Sequence, residues 1–243
     1  MTSLRLSSTS DGRDTDQTPW ETWQGWLKPV GTVVIGYTVI SAFLIAAGLF
    51  VVGPLKNTSL IAWDERTVRW LAEHRTHLQN SVSLMWSKLA DAPSIVAVGV
   101  LVAIVLAMRG RWRQVGCLAT LLAAELGTFL TISYAVDRKR PTVAHLGSVP
   151  STGSFPSGHI AATIVLYGFI AVLVWRSAVS HTVKLAALAW VILAAVAVGW
   201  ARMYRGMHHP LDVLAGAAMG IGLLFVFITA FAAVDWPEER KPS

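Results

Sequence analysis

The sequence predicts an all-α, polytopic membrane protein with six transmembrane helices and an amphipathic helical segment between the first and the second. Hydrophobic residues make up 54% of the 243 residues, and charged residues make up 14%, against ~25% in an ordinary soluble domain. The mean hydropathy is +0.54. Apolar segments of about 20 residues, the length that crosses a ~30 Å hydrocarbon core, recur along the chain. This composition excludes a disordered chain, a disulfide-stapled secreted module and almost any soluble enzyme.

Six apolar segments separated by polar connections are the predicted transmembrane helices. They are Val30–Val52, Pro93–Met108, Val115–Val136, His159–Trp175, Val183–Trp200 and Leu211–Val234. The second is the shortest, and Pro93 can open a helix in its first turn. The predicted organisation is a polar N-terminal tail (1–29), a six-span domain (30–236) and a polar C-terminal tail (237–243).

The N-terminal tail carries a helix signal close to the first span. Thr18-Pro19-Trp20-Glu21 is a capping-box pattern with proline at the first helical position. Trp20, Trp23 and Trp26 recur every three residues, so a helix would place them on one face. This pattern favours a short helix at the membrane interface; an unstructured tail is the alternative.

The first connection, residues 56–91, predicts one or two amphipathic helices resting on the bilayer surface. A helical pattern runs through it, because Ile61, Val68, Leu71, His74 and Leu78 fall at spacings of three, four or seven. His74 and His77 have an i, i+3 spacing that could bind a metal, but a helix face is the favoured interpretation.

The basic residues predict the orientation. Arg109, Arg111 and Arg113 crowd the second connection and indicate that it is cytoplasmic. With six spans, both termini are then cytoplasmic, and the third and fifth connections lie on the outer face. The net charge of +6 is spread between apolar segments instead of along one polar face, so we expect no nucleic-acid partner. The single Cys117 excludes a disulfide framework within one chain.

The third and fifth connections combine basic residues and histidines at the mouths of two spans. Residues 137–141 read Asp-Arg-Lys-Arg-Pro, residues 154–159 read Ser-Phe-Pro-Ser-Gly-His, and residues 202–212 hold two arginines, two histidines and an aspartate. Helix N-termini favour anions, and arginine side chains fork onto phosphate oxygens. A histidine can attack a phosphorus or protonate a leaving group. These loops therefore predict an outward-facing site that handles phosphate.

Small residues in spans four and six predict that these two helices pack closely, which would bring His159 and His208 together. They are Ala161, Ala162, Ala215, Gly216, Ala217, Ala218 and Gly220.

The motifs resemble the three-part signature of the type 2 phosphatidic acid phosphatase superfamily, which also includes glucose-6-phosphatase and the vanadium haloperoxidases. The matching parts are Arg140-Pro141, then 156–159 (Pro-Ser-Gly-His), then Arg202 with His208 and Asp212. They span residues 133–212, and the six-span layout resembles the membrane branch of lipid phosphatases.

The resemblance implies a role for each matching residue. His208 would be the nucleophile that forms a phosphohistidine, and Asp212 would orient its ring. His159 would protonate the leaving group and then activate water. Phosphoryl oxygens would be cradled by Arg140, Arg202, Ser157 and the Gly158 backbone N–H. His209 is a rival nucleophile, but only His208 has the family's spacing to Arg202 and Asp212.

Two positions depart from the family pattern. The first motif normally begins with a lysine where this chain has Ser133, and a serine before the third-motif arginine is replaced by Ala201. We hypothesise that Arg138 and Lys139 supply the missing phosphate-facing charge. Ordinary interfacial basic residues are the alternative.

The expected function is hydrolysis of a lipid phosphomonoester or diphosphate at the outer face of a cell membrane, without metal or other cofactor. Phosphatidate, phosphatidylglycerophosphate and polyprenyl phosphates or diphosphates are all plausible substrates, and a bacterial inner membrane is favoured. Alternatives are a lipid-phosphate carrier that keeps the pocket, a phosphotransferase, and a metal-dependent hydrolase built on His208, His209 and Asp212.

Overall fold

The computed structural model describes residues 23–231, and the tails at 1–22 and 232–243 lie outside the described residues. Over 23–231 the chain forms eight α-helices and no strand. The helices are α1 (Trp23–Val52), α2 (Ser59–Glu73), α3 (His77–Leu89), α4 (Ala92–Met108), α5 (Trp112–Ala135), α6 (Gly158–Trp175), α7 (His181–Tyr204) and α8 (Pro210–Ala230).

The predicted fold class is confirmed. Five helices, namely α1 from Leu27 onward, α5, α6, α7 and α8, are long and apolar enough to cross a membrane. The 17 residues of α4 pass the same test only together with α3, from which α4 is bent by 48°. The short second span is thus α4, the second helix of a bent pair whose first helix is α3.

The helix ends differ from the predicted ends at two places, and the first of them bears on the site. α7 continues four residues past Trp200 to Tyr204, so Arg202 lies in the last turn of a helix instead of in a loop. α1 begins at Trp23, so Trp23 and Trp26 belong to its first turns. The capping-box residues at 18–21 lie outside the described part of the chain.

The amphipathic segment is confirmed as two helices, α2 and α3. Their packed face is more polar than the sequence pattern suggested: Val68 is buried as expected, but so are Asp64, Ser83 and Ser87, whereas Leu78 is 74% exposed. These helices therefore direct polar side chains toward the rest of the protein.

Arg75 and Tyr204 fasten this segment to the end of α7. The Arg75 guanidinium donates to the Tyr204 carbonyl (Nη2, 2.8 Å) and to the Ala144 carbonyl (Nη1, 2.8 Å). The Tyr204 hydroxyl in turn donates to Asn80 Oδ1 at 2.9 Å. The joint between α2 and α3 is thereby fixed against the loops that carry the motifs.

The core centres on α6, which packs against α7, α8, α5 and α4. The predicted close contact between spans four and six is confirmed, because a Cβ atom added at Gly220 would lie 3.0 Å from the Ala161 carbonyl oxygen. At Gly216 an added Cβ would overlap the Ser157 carbonyl. The N-terminal ends of α6 and α8 are consequently adjacent, and Ser157 N–H donates to the Asp212 backbone carbonyl at 3.0 Å.

Candidate active site

A cavity of about 430 Å³ opens at the end of the bundle where α6 and α8 begin. Its polar wall brings together five of the expected site residues: Arg140, Gly158, His159, Arg202 and His208. The remaining wall is mainly apolar and comes from α4, α5 and α6, together with Ala90 and the segment at 150–153. The site thus joins a cationic end to an apolar compartment.

His208 is buried, and its ring is oriented by the backbone of the third connection. Its Nδ1 lies 2.7 Å from the Ser154 carbonyl oxygen. A carbonyl can only accept, so Nδ1 carries the proton and Nε2 keeps a free lone pair. Burial lowers the pKa of His208 well below its usual range, and the charges of Arg202 and Arg140 lower it further. His208 is therefore a neutral imidazole at neutral pH, as a nucleophile must be.

Asp212 is fully buried at the start of α8, but it does not hydrogen-bond the His208 ring. Its Oδ2 lies 3.9 Å from His208 Nδ1. The same oxygen accepts the His209 backbone N–H at 2.8 Å, which caps the helix. Sequence reasoning missed the Ser154 carbonyl as the direct partner of His208, since a backbone group leaves no side-chain pattern.

His209 has both ring nitrogens occupied by carboxylates. Nδ1 lies 3.2 Å from Asp212 Oδ2, and Nε2 lies 2.9 Å from Glu65 Oε2. Desolvation raises the pKa of Glu65, but hydrogen bonds from Thr142 and His209 outweigh it, so the net pKa is lowered. With neither nitrogen free, His209 is less suited than His208 to attack a phosphorus.

Arg138 and Lys139 are not brought to the cavity. The buried Arg138 guanidinium donates to Asp64 through Nη2 and to Asp212 through Nη1, and Lys139 is exposed. Two carboxylates occupy the Arg138 guanidinium, so it ties α2 to the start of α8 instead of facing a phosphate. Asp64 was not among the expected site residues, because a carboxylate on an amphipathic helix resembles an ordinary solvated residue.

Arg140 and Arg202 provide the positive charge of the cavity. Arg140 donates from Nη1 to the Met207 carbonyl (2.7 Å) and from Nη2 to the Thr152 carbonyl (3.2 Å). Arg202 donates from Nη1 to Ser87 Oγ (3.0 Å) on α3. Neither Nε atom has a hydrogen-bond partner among residues 23–231. Both guanidiniums are thus held in place by the protein, and each still has an N–H donor available for a phosphoryl oxygen.

His159 has a carboxylate partner that the sequence reasoning also missed. Its Nε2 lies 3.0 Å from Oδ1 of Asp91, the residue that precedes α4. Lys88 Nζ lies 3.1 Å from the other oxygen. Chiefly through the His159 hydrogen bond, the pKa of Asp91 is lowered to about 2. The position of Asp91, just before Pro93 and on the same membrane face as the two loops, was the available signal.

The two serines associated with the motifs are buried outside the cavity wall. The hydroxyls of Ser133 and Ser157 have no hydrogen-bond partner in the described part of the chain. Ser157 occupies the N-cap position of α6, and its carbonyl accepts the first hydrogen bond of the helix, from Ala161 N–H. Within 23–231, no group of three or more histidine, cysteine, aspartate or glutamate side chains is arranged to hold a metal ion.

The comparisons with known proteins point to one superfamily. Residues 114–236 match the PAP2 superfamily. The chain is 31% identical over 137 residues to a protein named putative undecaprenyl-diphosphatase YbjG from Escherichia coli K12, covering 54% of this chain and 65% of that protein. It is 36% identical over 115 residues to the bacitracin transport permease protein BcrC of Bacillus licheniformis, covering 46% and 50%. The chain therefore spans less than two thirds of either relative.

Two solved structures share the fold. A PAP2-type phosphatidylglycerolphosphate phosphatase from Bacillus subtilis superposes with a TM-score of 0.66 at 23% identity, covering 87% of this chain and 99% of that one. LpxE from Aquifex aeolicus gives a TM-score of 0.55 at 22% identity, covering 69% and 95%.

Proposed function

Because the chain belongs to the PAP2 superfamily, we propose that it is a membrane enzyme that hydrolyses a phosphomonoester or diphosphate of a lipid. The observation that carries this proposal is the free Nε2 of a neutral His208, which lines a cavity together with Arg140 and Arg202. The cavity continues into an apolar compartment among transmembrane helices, which suits a lipid better than a soluble phosphate. The catalytic unit is the six-span domain, 30–236.

The proposed reaction has two steps. In the first, His208 Nε2 attacks the phosphorus, an N–P bond forms, and the bond from phosphorus to the lipid oxygen breaks while His159 donates a proton to that oxygen. Arg140, Arg202 and the free N–H groups at the start of α6 stabilise the charge that develops on the phosphoryl oxygens. In the second, His159 takes a proton from water, and the water oxygen attacks the phosphorus. The N–P bond to His208 breaks, its electron pair returns to Nε2, and inorganic phosphate leaves.

The relatives and the apolar cavity together indicate which lipid phosphates should be compared as substrates. One relative is named as an undecaprenyl-diphosphatase, and one structural neighbour is described as a phosphatidylglycerolphosphate phosphatase. Phosphatidate, phosphatidylglycerophosphate, polyprenyl phosphate and polyprenyl diphosphate are therefore the compounds to compare. We propose that the site faces outward, because the basic connection between α4 and α5, which favours the cytoplasmic side, lies at the opposite end of the helices. A bacterial inner membrane is proposed because the relatives and the structural neighbours are bacterial proteins.

Phosphate release by the detergent-purified protein in EDTA tests the proposal. We expect release from at least one lipid on the panel, inhibition by vanadate, and an acid-labile, base-stable phosphoenzyme. Release that disappears in EDTA and returns with a divalent cation would indicate a metal-dependent hydrolase instead. Transfer of phosphate to an added alcohol without hydrolysis would indicate a transferase, and binding without turnover of any lipid would indicate a carrier.

Asp91→Asn is expected to move the alkaline limb of the pH profile of kcat/KM to lower pH by about one unit. The pKa of Asp91 is about 2, so its carboxylate is ionised throughout the assay range and stabilises a protonated His159. Asparagine removes that charge, and His159 then loses its proton at lower pH. The acid limb, which reports His208, should stay in place.

Lys88→Gln is the matched control, because Lys88 contacts the same carboxylate from the solvent side and is 69% exposed. Its profile should resemble that of the native protein. Equal loss of activity by Asp91→Asn at every pH, without movement of either limb, would show that Asp91 does not act through the proton on His159.

A further inference from the structure

A buried carboxyl group that the proposed reaction does not use lines the same cavity. Glu125 lies within α5, is 7% exposed and forms part of the cavity wall. Among residues 23–231, none donates a hydrogen bond to its side chain or forms an ion pair with it. An ionisable residue inside a transmembrane helix that faces a cavity commonly serves a bound ligand.

The depth of Glu125 is set by Phe129, one helical turn nearer to the site. Phe129 packs against the first residue of α6: a Cβ at Gly158 would lie 3.0 Å from Phe129 Cδ2. Four residues of α-helix advance about 6 Å. Glu125 therefore lies roughly one turn deeper in the membrane than the end of the cavity where the phosphoryl group is proposed to bind.

The surroundings of Glu125 offer little to satisfy a carboxyl group. The other residues that line the cavity from the three surrounding helices are mainly apolar. They include Leu122 and Leu126 on α5, Ile95 and Val96 on α4, and Ala162 on α6. An unpaired polar group in such surroundings costs free energy. A protonated carboxyl group carries one O–H donor, and a hydrogen bond from it to a bound molecule would offset that cost.

We propose that Glu125 is a specificity-determining residue that donates a hydrogen bond to an ester carbonyl of a glycerolipid phosphate. This inference rests on the proposed function. In a glycerolipid phosphate the ester carbonyls lie a few bonds below the phosphorus, so they reach the level of Glu125 when the phosphoryl group contacts His208. A polyprenyl chain has no acceptor there and would leave the carboxyl group unpaired. The protein therefore selects glycerolipid phosphates over polyprenyl phosphates.

Three substrates and three variants test this selection. The substrates are diacyl phosphatidate, its dialkyl ether analogue without carbonyls, and a polyprenyl phosphate. The variants are Glu125→Gln, which keeps an N–H donor, Glu125→Leu, which removes the donor, and Leu122→Met, a volume-conserving control on the same wall. The native protein should favour the diacyl over the dialkyl substrate by about tenfold in kcat/KM. Glu125→Leu should remove this preference, whereas Glu125→Gln and Leu122→Met should keep it.

The outcomes separate this inference from the proposed function. Equal loss on all three substrates in Glu125→Leu, or no preference of the native protein for ester over ether, would overturn the role of Glu125. Faster turnover of the polyprenyl phosphate, unchanged by Glu125→Leu, would overturn it as well. In each of those cases the phosphatase activity itself stands. Failure of the native protein to release phosphate from any lipid would instead contradict the proposed function.

Discussion

His208→Ala is expected to lower kcat for phosphate release by a factor on the order of 10⁴ or more. The substitution removes the Nε2 atom that attacks the phosphorus. The other two histidines of the site are engaged otherwise. Carboxylates occupy both nitrogens of His209, and His159 has Nε2 at Asp91 and serves as the proton donor to the leaving oxygen. Steady-state release from the best lipid substrate, measured beside detection of the phosphoenzyme after an alkaline quench, provides the test. Both signals should disappear together.

Two histidine variants control this experiment. His181→Ala changes an exposed residue at the start of α7, at the opposite end of the helices, and should leave kcat unchanged. His209→Ala should lower activity less than His208→Ala, since His209 links Glu65 to Asp212 without facing the cavity. A phosphoenzyme that persists in His208→Ala and vanishes in His209→Ala would reverse the assignment of the nucleophile.

The fold was largely predictable because, in a membrane protein, the length of an apolar segment is strong evidence for a transmembrane helix. Residues in contact with lipid must be apolar, so five spans stand out by composition, and their bounds agree with the helices to within a few residues at most ends. The short α4 was predictable from Pro93, but its 48° bend from α3 was not, because a bend depends on tertiary packing. The close approach of α6 and α8 was also predictable, from the small residues that permit it.

Sequence predicted those residues of the candidate site that belong to short motifs at the start of a helix. Gly158 and His159 begin one helix, and His208 precedes another, so their convergence follows from the contact between α6 and α8. Asp64 and Asp91 come from the first connection. Nothing in the local pattern of Asp64 distinguishes it from a solvated surface residue, and the position of Asp91 just before Pro93 does not identify its partner. Their partners lie 74 and 68 residues away along the chain. Such pairings depend on how α2 and α3 dock, which the helical periodicity does not determine.

Arg138→Gln and Lys139→Gln are expected to have very different effects, although the two residues are adjacent. Arg138 is buried between Asp64 and Asp212, and removing one partner of a buried ion pair costs about 3–5 kcal/mol. We expect Arg138→Gln to lower Tm strongly and kcat as well, because the start of α8 loses its tie to α2. The exposed Lys139 should tolerate the change within about 0.5 kcal/mol. Thermal unfolding in detergent and kcat/KM report the two effects.

A second substitution distinguishes this ion-pair network from direct phosphate binding by Arg138. With Arg138→Gln alone, the carboxylates of Asp64 and Asp212 remain buried without their shared cation. Adding Asp64→Asn removes one of the two charges, so the double variant should regain part of the lost Tm, even though Asp64→Asn alone lowers it. Residues in one network are non-additive in this way. If Arg138 bound phosphate instead, Arg138→Gln would reduce kcat/KM without changing Tm, and Asp64→Asn would restore nothing.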